Sequence, residues 1–119
     1  MEIKIQRIYD KEIPNGFKIL VDGLWPRGVK KESVDYWAKN IAPSRELREW
    51  YSHDPKKWEI FLERYKEELI KNNDLQNFVS LIKEKLEKMD VIFLYATKER
   101  EKNNAVALKK ILKELFPIL

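Results

Sequence analysis

The chain has 119 residues, 44% hydrophobic and 12% aromatic, enough for one domain with its own core and too apolar for a disordered segment. It contains no cysteine, which excludes disulfides, thiolate zinc sites, iron–sulfur ligation and a thiol nucleophile. Its 24 Lys+Arg against 20 Asp+Glu leave a net charge of +4, with many charges in mixed pairs such as Glu84-Lys85 and Glu87-Lys88, so charge alone does not select nucleic acid as partner.

No amino-terminal apolar stretch resembles a signal peptide, and no run approaches the roughly 20 apolar residues of a membrane span. A cytoplasmic location without a membrane partner is expected. Residues 2–9 alternate, with Ile3 and Ile5 on one face, and predict a first strand. Arg7 falls on the same apolar parity. Either the strand ends there and Arg7 leans into solvent, or it is held inward by a carboxylate or ligand, with Asp22 a natural partner. Residues 10–16 finish in Ile13-Pro14-Asn15-Gly16, turn chemistry in a connection too short for a full crossover helix. The first two strands are then antiparallel neighbours or joined by an abbreviated crossover; both remain open.

Phe17 to Val21 predicts a second strand, at least partly buried on both sides. Polarity then changes at once. Gly23, Pro26 and Gly28 forbid regular structure, while Asp22, Trp25 and Arg27 place a carboxylate, an indole and a guanidinium in the same loop. In open α/β sheets, ligands bind outside the carboxyl ends of strands, where such a loop lies. The competing reading is a tight turn whose Trp25 caps the core and whose Asp22 and Arg27 satisfy backbone groups.

Residues 30–42 are mixed, and Ser33 or Asp35 could cap a short helix carrying Tyr36, Trp37 and Ile41. After Pro43, Ser44 can cap a helix with Leu47, Trp50 and Tyr51 on one side. Asp54-Pro55 is a stronger start signal, leading into Trp58, Phe61, Leu62, Tyr65 and Leu69 as one apolar helical stripe. Asp74 can cap the next helix, whose stripe is Leu75, Phe78, Val79, Ile82, Leu86 and Met89. Val91 to Tyr95 is a nearly continuous apolar run and predicts a central parallel strand buried on both faces. A polar loop follows, and Asn103 or Asn104 caps a final helix with Ala105, Leu108, Ile111, Leu112 and Leu115 inside. This order predicts a helix-rich α/β fold: a single domain over residues 1–119, with a small central, mostly parallel sheet of about three strands flanked by helices on its two faces.

If Val21 and Tyr95 end neighbouring parallel strands, loops 22–30 and 96–103 emerge on one edge with the amino terminus of the last helix. Asp22, Trp25, Arg27 and Lys30 would meet Thr97, Lys98, Glu99 and Arg100. Several cations with few carboxylates suggest a small anionic ligand, phosphate or carboxylate. The competing reading is a ligand-free salt-bridge network of Asp22, Glu99, Arg27 and Lys98. His53 is the only histidine, so no histidine pair can hold a metal; it is a general base beside Asp54 or a surface residue ahead of a helix cap. No serine sits in a nucleophile elbow, and the glycines form neither a P-loop nor a dinucleotide fingerprint. Neither metal nor cofactor is expected. Trp37, Trp50 and Trp58 read as core rather than a stacking platform.

Arg7-Ile8-Tyr9-Asp10, Leu20-Val21-Asp22 and Leu24-Trp25-Pro26-Arg27-Gly28 resemble the opening of the YeaO-like family, domain of unknown function 488. The likeness continues through Trp37, Lys39, Ile41-Ala42-Pro43-Ser44, Leu47-Arg48, Trp50, His53-Asp54-Pro55, Trp58, Phe61 and Tyr65. It ends with Leu94-Tyr95-Ala96 and Asn103-Asn104-Ala105 and so covers nearly the whole chain. It implies a small α/β domain with its polar motif residues near the strand ends. Wider relatives carry a cysteine and a Cys-His-Arg element around the positions of Ala96 and Asn103-Asn104-Ala105, and nearer ones often show Asn-His at Asn103-Asn104. Without thiols, a sulfur-transfer mechanism does not carry over. The expectation is a small-anion-binding domain with cationic contacts from Arg27, Lys39, Arg48 and Lys98, Asp22 orienting Arg7 or Arg27, and Trp25 closing the pocket. For an enzyme, Asp22 or His53 would be the acid/base. The alternatives are a non-catalytic nucleic-acid-binding module and a protein-interaction module exposing its tryptophan-rich region.

Overall fold

The apolar runs of the sequence become strands in a computed structural model that describes residues 1–119. They are β1 (Ile3–Arg7), β2 (Phe17–Leu20), the two-residue β3 (Tyr36–Trp37) and β4 (Val91–Tyr95). All pairings are parallel, in the order β1-β4-β2-β3, one strand more than expected. The nearly continuous apolar run of β4 suits its place: it pairs with β1 on one side and β2 on the other, and every residue in it is buried. Of the two connections open for residues 8–16, the abbreviated crossover is the one formed, since β1 and β2 run parallel with β4 between them.

The short helix expected within residues 30–42 is not formed as one element; 3-10 turns at Lys31–Ser33 and Lys39–Ile41 stand on either side of β3 instead. Asp35 does not cap a helix. Its carboxylate accepts from Lys18 N at 2.8 Å, and its own N–H donates to Lys18 O at 2.9 Å, which stitches the segment to β2 as β3. The α-helices are α1 (Arg45–Tyr51), α2 (Trp58–Lys71), α3 (Leu75–Leu86) and α4 (Asn104–Leu115). Ser44 caps α1 by accepting from Leu47 N, and Asn103 caps α4 by accepting from Val106 N. Asp54-Pro55 opens a 3-10 turn that runs straight into α2. Asp74 makes no side-chain cap; Asn72 Oδ1 accepts from Asp74 N instead. Met89 falls beyond the end of α3, half-exposed.

The sheet is not covered by helices on both faces, and that expectation is corrected. Ile3, Ile19, Val21, Val91, Phe93 and Tyr95 share one cluster with the apolar stripes of all four helices. The alternate residues Leu20, Ile92 and Leu94 point the other way. Over them lie Ile8 and Ile13 from the β1–β2 connection, Trp25, Val29 and Val34 from the β2–β3 connection, and Trp37 of β3. These connections have no α-helix, so this face is roofed by coil, with Trp25 and Trp37 meeting edge to face at 5.3 Å.

Candidate functional site

The arrangement of faces creates a crevice. β2 and β4 are adjacent and parallel, so their carboxyl ends emerge side by side. The chain leaving β2 turns onto the coil-covered face through Trp25 and Val29, whereas the chain leaving β4 turns to the helical face and enters α4. Where neighbouring parallel strands send their connections to opposite faces, an open α/β sheet has its ligand crevice. Here it is a cavity of about 420 Å³. Its polar lining comes from Asp22, Arg27, Arg48, His53, Thr97 and Asn104, and Tyr9, Leu24 and Trp25 contribute apolar surface.

Asp22, at the end of β2, ties the two strand ends and the last helix together. One carboxylate oxygen accepts from Ala96 N at 2.9 Å, and the other from Asn104 Nδ2 at 3.0 Å. Asn104 Nδ2 also donates to Val21 O at 2.9 Å. Burial raises the Asp22 pKa above the ordinary 3.8, against the opposing pull of those two hydrogen bonds and the charges of Arg48 and His53.

Arg48 comes from α1 and lies across Gly23. A Cβ on Gly23 would stand 2.0 Å from Arg48 Nη1, so the absence of a side chain there makes room for the guanidinium. Nη1 donates to Pro43 O at 2.7 Å, and the guanidinium makes no other hydrogen bond and no salt bridge. The loop bearing Arg27 is braced. Trp25 Nε1 donates to Val29 O at 2.9 Å, Trp37 Nε1 to Asp22 O at 2.8 Å and Tyr9 Oη to Arg27 O at 2.7 Å. Gly28 supplies a left-handed turn at φ 77°.

His53 reaches the cavity through strained backbone. α1 ends at Ser52 with φ 45°, and His53 follows with φ 56°. Consecutive non-glycine residues in the left-handed region cost about 1–2 kcal/mol each. The imidazole sits edge to face against Tyr51 at 6.0 Å.

Of the residues proposed from sequence, the cavity gathers Asp22, Trp25, Arg27, Arg48 and His53 and leaves out Arg7, Lys39 and Lys98. Arg7 neither leans into solvent nor pairs with Asp22. Its Nε donates to Ala96 O at 3.1 Å and Thr97 O at 2.9 Å, holding the loop after β4. Asp22 therefore orients neither Arg7 nor Arg27; its partners are Ala96 and Asn104. Lys39 Nζ lies over the Trp37 ring at 5.1 Å, and Lys98 is exposed. The ligand-free network of Asp22, Glu99, Arg27 and Lys98 does not form, because Glu99 accepts from Glu101 N and Lys102 N. The ion pair at this edge is instead Asp10–Arg100, bidentate at 2.7 and 2.9 Å. Sequence reasoning missed Asn104 as the partner of Asp22, reading it only as a helix cap. No three histidine, aspartate or glutamate side chains gather to hold a metal ion, and no helix is long and apolar enough to cross a membrane.

Residues 2–117 match the model of a family described as the inactive DUF488-N3 subclade. The chain is 36% identical to the uncharacterized protein YeaO of Escherichia coli over 97% of its own length and 100% of the relative's. Uncharacterized proteins of Mycobacterium tuberculosis and Mycobacterium bovis are 44% identical over 70 residues, a match spanning 56% of this chain and 59% of theirs. No solved structure matches. The family model over nearly every residue and the end-to-end likeness to YeaO together show that the chain belongs to the YeaO-like DUF488 family.

Proposed function

We propose that this protein is a cytoplasmic domain that binds a small phosphate- or carboxylate-like anion at the carboxyl edge of its sheet. The observation that carries the reading is Arg48: a half-buried guanidinium in the cavity, given room by Gly23, with one backbone carbonyl as its sole hydrogen-bond acceptor. A guanidinium has five N–H donors and no acceptor. Those not used by Pro43 O suit the oxygens of a carboxylate or phosphate. Arg27 adds a second cation in the same cavity, and Asp22 is the one carboxylate lining it. The family model's description as an inactive subclade accords with holding a ligand rather than transforming it.

The test is a thermal melt of the wild type and of Arg48→Ala with phosphate, sulfate and acetate. An anion at 100 times its Kd stabilises by about 2.7 kcal/mol, a shift of roughly 5–15 °C at this size. The shift should appear in the wild type and vanish in Arg48→Ala, each compared with its own ligand-free melt. If no anion moves the wild type, the reading fails. A shift only with short DNA, falling by about 0.9 log units of affinity per log of salt for each phosphate neutralised, would favour nucleic-acid binding instead.

A further inference from the structure

The cations say that the ligand is an anion; the rest of the same cavity says which kind. This step rests on the anion-binding reading and narrows it. At about 420 Å³ the cavity falls within the range of roughly 300–1,000 Å³ typical of small-molecule sites. A bare oxyanion of four or five heavy atoms is smaller than the ligands such a cavity holds.

The surface beside that space is apolar and exposed. Leu24 is 72% exposed and Tyr9 44%, although both line the cavity. The Tyr9 hydroxyl is bonded to Arg27 O, and Leu24 directly precedes Trp25, whose indole is anchored on Val29 O. An isolated exposed leucine needs no explanation, but a leucine, a tyrosine and a tryptophan around one cavity supply the apolar wall of a small-molecule site. The charges set the head. Arg27 and Arg48 against the single carboxylate of Asp22 give these three side chains a net of one positive charge, two minus one. One negative charge neutralises it, and a second would face Asp22 uncompensated.

We infer that the ligand is an organic monoanion with an apolar or aromatic body, a carboxylate in preference to a phosphate dianion. Its head lies on Arg48 and its body against Leu24 and Tyr9. Titration calorimetry with acetate, phenylacetate, phosphate and phenyl phosphate tests this directly. Phenylacetate should bind roughly tenfold or more tighter than acetate, because its ring leaves water, and tighter than phenyl phosphate at neutral pH. Leu24→Ser should remove most of the advantage of phenylacetate over acetate. Ile60→Ser, an exposed isoleucine on α2 outside the cavity, should leave it intact.

Equal binding of acetate and phenylacetate, or an advantage that survives Leu24→Ser, overturns the inference while the anion reading stands. Tighter binding of phenyl phosphate than phenylacetate overturns the choice of head. Failure of all four ligands sinks both readings. Inorganic phosphate or acetate binding that depends on Arg48 supports the first reading whatever the ring does.

Discussion

One face of the sheet lies under four helices and the other under coil, and the two covers meet their backbone needs differently. Helices bond their own N–H and C=O groups internally, so over Ile19, Val91 and Phe93 they present little but Phe61, Tyr65, Phe78, Leu108 and their neighbours. The coil over Leu20, Ile92 and Leu94 has no such ladder. Its carbonyls draw on side-chain donors: the Trp25 indole for Val29, the Trp37 indole for Asp22 and the Tyr9 hydroxyl for Arg27. A coil roof therefore brings polar and amphipathic side chains to the sheet, and it ends where the cavity opens. The larger core lies on the helical face, and the candidate site lies at the rim of the coil face.

The sharpest way to break this comparison is a matched pair of truncations. Ile19 faces the helices and Ile92 the coil, and both have 0% exposure. Truncating a buried isoleucine costs about 2–5 kcal/mol, depending on how far the site collapses. Ile19→Ala should fall near the top of that range and Ile92→Ala near the bottom, measured by urea unfolding. Equal costs would mean that the coil is as rigid a cover as the helices. Next in size is Asn104→Ala, which leaves Val21 O and Asp22 Oδ1 without their shared donor. It should cost about 1–3 kcal/mol, and a cost below that range would show that water replaces the amide freely.

A smaller effect of opposite sign belongs to His53. His53→Gly relieves the left-handed backbone and should stabilise the fold by about 1 kcal/mol while weakening ligand binding. Loss of stability instead would make the imidazole a packing residue. The finest distinction depends on pH. The Asp22 pKa is raised in the folded protein, so its stabilising contribution is complete below the ordinary 3.8 and is lost as pH rises through the raised value. Relative to Asp22→Asn, the wild type should gain stability as pH falls from neutral toward 3.8. Subtracting the variant removes the opposite trend from Asp10, Asp90 and Glu99, whose pKa values are lowered. A difference independent of pH would mean that burial does not act on Asp22.

What was legible in the sequence follows from periodicity and local chemistry. The stripe of α2, the buried run of β4 and the caps at Ser44 and Asn103 depend on neighbours within a turn or two, and the structure has them. β3 was missed because two residues carry no period; its cause is Asp35 reaching back to Lys18, a partner distant in the chain. The edge position of loops 22–30 and 96–103 was foreseen from the two strand ends. Which cations turn inward was not. Arg48 and Lys39 read alike as charges near the strand ends, and only the open space over Gly23 separates the one in the cavity from the one stacked on Trp37. The coil roof went unread because it consists of isolated apolar residues, Ile13, Val29 and Val34, among turn formers.

The place of β4 between β1 and β2 governs when this protein can fold. While the chain is being made, β1 has no strand beside it and β2 only the two residues of β3, until Val91 to Tyr95 is available. Asp22, built early, waits for Ala96 and Asn104 to reach it. Pairings so distant in sequence are closed late, at an entropic cost that slows folding. Beyond the two-residue pairing of β2 with β3, both the sheet and the cavity at its edge therefore need β4 in place.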